Sequence, residues 1–305
     1  MAKSSSTSVG ICLALASYFL FSSADTLVKG LGGSLSPFEI GLFVALFSFI
    51  PFLVTKPNSD AWRDTFKYNR PWLVHLVALM RATCAMSMTY AFVTIPLAEA
   101  YAIAFLIPLF TTMMSVAVLK EKVPLERWVL VILGFIGILI VVRPGFRELE
   151  LGHFTSLLCA VCASIQITTM RIIAGNERRT SISVLQATYT VAANFAVLAV
   201  VGLSFPSWEL LLGLMVCGIM GGVAYIAQIG SLERAPASLI APTQYSQFIW
   251  GLLFGAVFFS ELPDFVGFIG LAIVLASGVG SVFVDGIRAK INQASGPLTK
   301  VGGNA

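Results

Sequence analysis

The sequence predicts an all-α integral membrane protein whose ten transmembrane helices form two inverted five-helix repeats. Three observations lead to this prediction: an apolar composition, apolar runs of helical length, and an internal repeat. The mean hydropathy is +0.90. Of the 305 residues, 57% are hydrophobic and 11% are charged, whereas about 25% of residues are charged in a typical soluble domain. The composition therefore excludes an ordinary soluble domain.

Ten apolar runs follow one another along the chain, separated by charges and by clusters of proline, glycine and asparagine. Each is close to the ~20 residues that a helix needs to cross about 30 Å of hydrocarbon. Short connections join them, so little of the chain remains for a separate catalytic domain. The predicted spans are 9–28, 38–55, 72–94, 97–119, 127–142, 152–173, 182–204, 208–230, 237–259 and 264–284.

An internal repeat accounts for the number of spans. The stretch from Pro96 to Glu121 aligns without a gap on the stretch from Pro236 to Glu261, 140 residues later. Internal repeats of this kind are typical of secondary transporters, in which the substrate lies between the copies. Five spans per half is an odd number, so the second half is expected to cross the membrane in the opposite sense. We predict two repeats and a flexible cytoplasmic tail, over 9–143, 152–285 and 286–305.

The lysines and arginines predict the orientation. Fifteen of the 19 lie on the side of the N-terminus, three lie on the opposite side, and Arg81 lies inside a span. Because cytoplasmic loops are enriched in these residues, both termini are expected in the cytoplasm. The net charge of +4 follows from this bias and gives no reason to expect nucleic acid as a partner. The expected partners are a small organic solute and the lipid bilayer, and a homodimer remains open.

Arg81 is a candidate substrate contact. It lies about nine residues into the third span, which places it roughly 14 Å deep at 1.5 Å per residue. A guanidinium at this depth costs some 2.5–3.5 kcal/mol on insertion scales, so it is expected to face a water-filled cavity or a partner. Two roles remain open: contact with a substrate carboxylate or phosphate, or an internal bridge to Glu99 or to backbone carbonyls.

The ninth span carries an unusual set of polar and aromatic residues. Gln244, Gln247 and Gly251 share one face by their spacing. Amides that face a cavity can bind a heterocycle or an amino acid, and Tyr245 or Trp250 can stack on its ring. The alternative is hydrogen bonding between helices, worth roughly 0.6–2 kcal/mol per contact. We favour the cavity, because this span belongs to the repeated block.

Further residues complete the predicted site. Tyr101 in the matching fourth span, Gln166 in the sixth and Gln228 in the eighth are predicted as additional substrate contacts. For the two glutamines, a packing contact between helices is the alternative that remains open. Glu121 and Glu261 end the repeated blocks at opposite faces of the membrane and are predicted gating residues. Carboxylates at helix C-termini oppose the helix dipole, so compensation by Lys122 or by the N-termini of helices across the cavity is expected.

Asp25 and Lys29 lie four residues apart near the outer end of the first span, which predicts a local ion pair. A proton-relay role for Asp25 is the less favoured alternative. Cys159 and Cys162 form a C-x-x-C, and we interpret both as small apolar helix residues rather than as a metal or redox site.

No catalytic residue, metal ligand or cofactor is predicted. The sequence lacks an H-E-x-x-H motif, paired intramembrane aspartates and a phosphate-binding loop. A carrier is therefore favoured over an intramembrane enzyme, and the internal repeat favours a carrier over a channel.

Two segments resemble the two EamA repeats of the drug/metabolite transporter superfamily. They are PLAEAYAIAFLIPLFTTMMSVAVLKEKVPLERWVLVILGFIGILIVVRPG and ERAPASLIAPTQYSQFIWGLLFGAVFFSELPDFVGFIGLAIVLASG. The resemblance covers nearly the whole chain. It implies two inverted five-helix halves, with helices 3, 4, 8 and 9 around a central cavity. Many relatives carry arginine where this chain has Val44 and Val77, and Arg81 lies one turn after the second position.

The stretches SSADTLVKGL, SPFEI and APASLIAPTQYSQ are most similar to the bacterial branch that holds S-adenosylmethionine carriers and riboflavin importers. The resemblance implies a multi-pass protein of the bacterial inner (plasma) membrane that moves a small organic metabolite by alternating access. S-adenosylmethionine or a riboflavin-like heterocycle is the expected substrate. An exporter of amino acids or drugs is the alternative within the same fold, and the sequence leaves the direction and the energy coupling open.

Overall fold

The computed structural model describes residues 2–55, 67–120, 123, 125–143, 148–173, 177–235 and 237–294. Within these ranges the regular secondary structure is helical and contains no strand. The helices are α1 (Ala2–Leu31), α2 (Pro37–Thr55), α3 (Pro71–Thr94), α4 (Leu97–Ala104), α5 (Ile107–Ala117), α6 (Leu125–Val142), α7 (Leu151–Ile173), α8 (Arg179–Val201), α9 (Trp208–Arg234), α10 (Ala237–Ile240), a 3-10 helix (Ala241–Gln244), α11 (Tyr245–Phe259) and α12 (Phe265–Ala294).

These helices confirm an all-helical protein with apolar segments suited to a membrane. Six helical segments of the described chain are long and apolar enough to cross one, and four shorter apolar helices accompany them. Every one of the ten overlaps a predicted span. The six are 7–31, 71–94, 97–117, 151–173, 181–201 and 208–234, and the four are 37–51, 128–142, 245–259 and 265–280.

The helices also extend beyond the apolar runs. Helix α1 spans Ala2–Leu31 rather than 9–28. The prediction began later because the first turn of this helix is rich in serine and lies outside the apolar run. Helix α12 continues to Ala294, into the segment 286–305 that was predicted as a tail. Residues 295–305 lie outside the described part of the chain.

Two predicted spans are interrupted rather than continuous. The span 97–119 divides into α4 and α5 around Phe105 and Leu106. Pro108, in the first turn of α5, has no N–H to donate to the carbonyl four residues earlier. In the span 237–259, the 3-10 helix that contains Pro242 separates α10 from α11. Discontinuous helices near the middle of a bundle are a common feature of transporter binding sites.

The helices approach one another most closely where glycines lie at the interface. The most extensive contacts in the described chain join α1 to α9, α3 to α7, and α6 to α12. A Cβ added at Gly137 would lie 2.9 Å from the carbonyl oxygen of Gly270, and one added at Gly270 would lie 2.8 Å from that of Gly137. The backbones of α6 and α12 therefore touch, as small residues permit in membrane helices.

Candidate functional site

A polar cluster centred on Asp25 joins three helices of the bundle. The Tyr101 hydroxyl on α4 donates a hydrogen bond to Oδ2 of Asp25 at 2.6 Å. The side-chain amide of Gln247 on α11 donates to the same oxygen at 3.5 Å. Ser22, almost one turn earlier on α1, donates to the main-chain carbonyl of Gln247 at 3.1 Å. Asp25 itself is partly buried, so it keeps some accessible surface.

Close approach of α4 and α11 brings the Tyr101 hydroxyl to this carboxylate. A Cβ added at Gly251 would overlap the Tyr101 ring, so the glycine leaves the room that the ring occupies. Phe92 packs against the same ring edge-to-face, with centroids 5.3 Å apart. Tyr101 is only 5% exposed. Its ring is held between these neighbours, which directs its hydroxyl toward Asp25.

Arg81 lies on α3 near this cluster. Its side chain is exposed, and its charge lies within electrostatic range of Asp25 and of the Cys84 thiol. It makes no hydrogen bond or ion pair within the described ranges. Glu99, the internal partner considered for it, instead contacts His153, with Oε2 3.1 Å from Nε2.

The other predicted residues of the ninth span have different neighbours. Gln244 is exposed at the end of the 3-10 helix. Tyr245 stacks on Phe105, with centroids 5.2 Å apart and ring planes at 14°, and lines a mostly apolar crevice beside α6 and α12. Trp250 packs edge-to-face on Phe19 of α1 at 5.1 Å. The structure brings Gln247 to Tyr101 but gives Tyr245 and Trp250 separate aromatic contacts.

Two predicted amides lie on helices of the second half. The Gln228 side chain on α9 donates to the Tyr18 hydroxyl on α1 at 3.1 Å, which is a hydrogen bond between helices. Gln166 on α7 is half-buried. Glu121, the first predicted gating residue, lies outside the described residues.

Glu261, the second predicted gating residue, belongs to a network at one end of the bundle. Lys29 Nζ lies 2.8 Å from Glu261 Oε1 and donates to the Ile95 carbonyl at 2.7 Å. Glu261 Oε2 accepts the N–H of Leu97, the first residue of α4, at 3.3 Å. Lys29 and the N-terminus of α4 therefore both compensate this carboxylate. The helix N-terminus was expected from the dipole argument, whereas Lys122, the lysine considered for this role, lies outside the described residues.

The expected ion pair between Asp25 and Lys29 is wrong for this structure. Ile95 precedes Pro96 and is extended (φ −124°, ψ 165°), as residues before proline usually are, so its carbonyl is free to accept from Lys29. Leu97 begins a helix, where N–H groups lack an intrahelical partner. The break at Pro96 thus supplies partners that draw Lys29 and Glu261 together.

A local ion pair was favoured for Asp25 from the sequence, and Asp25 was not among the predicted residues of the candidate site. The available signal was a carboxylate inside an apolar span, and the interpretation as a local ion pair concealed it. The thiols of Cys84 and Cys159 also meet, 2.8 Å apart. Among the described residues, no group of three or more histidine, cysteine or carboxylate side chains is placed to hold a metal ion.

Comparison with known proteins agrees with this fold. The model of the EamA-like transporter family matches residues 8–143 and 150–283. A solved crystal structure superposes with a TM-score of 0.64 over 93% of this chain and 98% of that chain, at 19% identity. That likeness shows the shared fold.

Named relatives are transporters. An S-adenosylmethionine uptake transporter of Rickettsia prowazekii (strain Madrid E) is 28% identical over 84% of this chain and 86% of the relative. The protein of that name from Rickettsia bellii (strain RML369-C) is 28% identical over 91% and 94%. A pseudopaline exporter of Pseudomonas aeruginosa (strain UCBPP-PA14) is 26% identical over 88% and 92%. Since the family model covers most of the sequence in two matches, this chain belongs to the EamA-like transporter family.

Proposed function

We propose that this chain is a secondary transporter that moves S-adenosylmethionine, or a closely related metabolite, across a bacterial inner (plasma) membrane by alternating access. The observation that carries this proposal is the Asp25 cluster. A carboxylate within an apolar helix is bound by Tyr101 and Gln247 and lies in electrostatic range of Arg81. Ionisable residues inside membrane spans mark substrate or ion pathways.

The charges of the site suit this substrate. S-adenosylmethionine carries a sulfonium and an ammonium, a carboxylate, and an adenine ring. Asp25 offers a carboxylate to a cationic centre, and Arg81 offers a planar fork to a carboxylate. The exposed Gln244 amide is available to the edge of a heterocycle. The names of the Rickettsia relatives support the same substrate, and that of the Pseudomonas relative favours an exporter of another metabolite as the second candidate.

Alternating access requires two halves that exchange roles, and several contacts support the proposed inverted repeat over 9–143 and 152–285. Helix α1 packs on α9 and α11, and the equivalent helix α7 packs on α3 and α5. Lys120 and Ser260, which are 140 residues apart, share a left-handed backbone with φ of 57°. Each precedes one of the two glutamates that end the repeated blocks. We place both termini in the cytoplasm on the charge bias.

Uptake into proteoliposomes tests the function directly. Purified protein in vesicles preloaded with unlabelled S-adenosylmethionine should take up the radiolabelled compound saturably, and faster than vesicles without preload. Excess S-adenosylhomocysteine, which lacks the sulfonium charge, should compete more weakly than S-adenosylmethionine. Reversing the gradient measures export in the same vesicles.

Matched variants connect the flux to the site. Asp25→Asn should abolish saturable uptake, whereas Asp264→Asn, which removes a carboxylate paired with Arg143 at the helix ends, should retain it. Flux that does not saturate would indicate a channel, and chemical conversion of the solute would indicate an enzyme. Saturable uptake of riboflavin or amino acids without uptake of S-adenosylmethionine would overturn the substrate and retain the carrier.

A further inference from the structure

The network around Lys29 ties together segments that are far apart in the sequence. Through Glu261 it holds the end of α11, and through the Ile95 carbonyl and the Leu97 N–H it holds the junction of α3 and α4. The Phe259 ring covers the ammonium, with its centroid 5.4 Å from Nζ. In this structure, therefore, the C-terminal end of α1 is bound both to the end of α11 and to the junction of α3 and α4. We call this end of the bundle closed.

Lys29 requires either an anionic partner or water in every conformation of the protein. Its side chain is only 9% exposed, and that of Glu261 is 24% exposed. A charge buried this far is strongly destabilising when its partner is removed. If α11 moves away from α1, Lys29 must therefore find another carboxylate or enter water.

Asp25 is that other carboxylate. It lies one turn before Lys29 on α1, about 6 Å along the axis, at the i, i+4 spacing suited to an ion pair. Its present partners, the Tyr101 hydroxyl and the Gln247 amide, are neutral. Arg81 on α3 lies within electrostatic range of Asp25, and it forms no ion pair with Asp25 in this conformation.

The two polar clusters share the same helices. Helix α4 carries both Tyr101 and Leu97. Gln247 lies in the first turn of α11, and Glu261 lies two residues after its end. Movement of α4 and α11 away from α1 therefore breaks both clusters in one step. It leaves Asp25 and Lys29 together on α1, each without its former partners.

We infer that Lys29 exchanges carboxylates during the transport cycle, pairing with Glu261 when this end of the bundle is closed and with Asp25 when it is open. Only the identity of the ligand in this scheme rests on the proposed function; the exchange of carboxylates does not. A cationic centre bound at Asp25 displaces Lys29, which then returns to Glu261 and closes this end over the solute. Lys29 is a positioning residue in this scheme, since it acts through the two carboxylates.

Distances between spin labels on α1 and α11 at this end of the bundle test the exchange independently of any transport measurement. Labels at Gly30→Cys, where an added Cβ meets nothing within 4 Å, and at Val257→Cys, which is 65% exposed, report the separation of α1 and α11. The five native cysteines are replaced in this background. Glu261→Gln should raise the ratio of long to short distances by roughly tenfold, because it removes the partner of the closed state. Asp25→Asn should shift the ratio in the opposite direction.

Controls separate the exchange from a general loss of charge. Asp264→Asn removes a carboxylate at the same end but keeps an oxygen that can accept the Gly267 N–H, and it should leave the ratio unchanged. Lys29→Met should open this end and make it insensitive to Asp25→Asn. If Glu261→Gln does not purify as a folded protein, Glu261→Asp, whose carboxylate is shorter by one methylene, should shift the ratio in the same direction.

The same distance measurement is repeated with S-adenosylmethionine or S-adenosylhomocysteine added. The sulfonium compound should raise the short-distance population of the parent and leave that of Asp25→Asn unchanged. Opposite shifts by the two carboxylate variants with no ligand effect would retain the exchange and overturn the proposed substrate. The exchange would be overturned if both carboxylate variants shifted the distance ratio in the same direction, or if neither shifted it. An equal shift in Asp264→Asn would also overturn it.

Discussion

Phe105 and Tyr245 stack nearly face to face, with centroids 5.2 Å apart and ring planes at 14°. The two residues are 140 positions apart, so they occupy the same place in the two copies of the repeated block. Each lies at the break of its span, since Phe105 follows α4 and Tyr245 begins α11. Contact between equivalent residues is the arrangement found where a two-fold axis passes between two similar units.

The first prediction concerns topology. Alkaline phosphatase fused after Ala305 should be inactive, and a fluorescent protein fused there should be fluorescent, because the Lys/Arg bias places the terminus in the cytoplasm. A truncated fusion after Ser204, in the connection between α8 and α9, should give the opposite pattern. Active phosphatase at Ala305 would overturn the orientation.

The second prediction concerns Arg81. Arg81→Lys keeps the charge but loses the planar fork, so KM for S-adenosylmethionine should rise about tenfold, which corresponds to about 1.4 kcal/mol. Arg81→Met should abolish uptake and leave the melting temperature of the purified protein unchanged. Arg234→Met, at an exposed residue that pairs with Glu233 at 3.7 Å, is the control and should transport normally. A large drop in melting temperature for Arg81→Met would instead assign Arg81 a structural role.

The third prediction concerns the hydrogen bond from Tyr101 to Asp25. Tyr101→Phe keeps the ring that packs on Phe92 but removes the donor at 2.6 Å. The partly buried carboxylate then keeps only the longer contact from the Gln247 amide at 3.5 Å, which should lower the free energy of unfolding by about 1–3 kcal/mol and raise KM. Tyr90→Phe is the control, because the Tyr90 hydroxyl has no hydrogen bond to another described residue. Equal stability of both variants would contradict the assigned role.

The fourth prediction concerns the close approach of α4 and α11. Gly251→Ala places a methyl group in the volume of the Tyr101 ring, and such overpacking typically costs about 1–3 kcal/mol. The melting temperature should fall, and uptake should fall with it as Tyr101 is displaced from Asp25. Gly221→Ala, where an added Cβ meets nothing within 4 Å, should change neither. A stable and active Gly251→Ala would show that the helices can separate at no cost.

Tyr101 and Gln247 were predicted as site residues because polar groups stand out in apolar spans that belong to the repeated block, and the structure places both beside Asp25. Asp25 was missed because its spacing from Lys29 predicts a local ion pair, and spacing along one helix says nothing about partners on other helices. The same limit applies to Gln228, whose partner Tyr18 lies 210 residues away in the sequence.

The sequence by itself determined the apolar helical segments and the repeated block. These are properties of the chain in one dimension, since lipid requires a helix in every apolar run and the residue order carries the repeat. Only the tertiary structure decided which charges pair. Lys29 lies next to Asp25 on its own helix yet binds Glu261, because the break at Pro96 places the Ile95 carbonyl and the Leu97 N–H between them. Such a pairing depends on where distant segments meet, and local spacing carries no record of that.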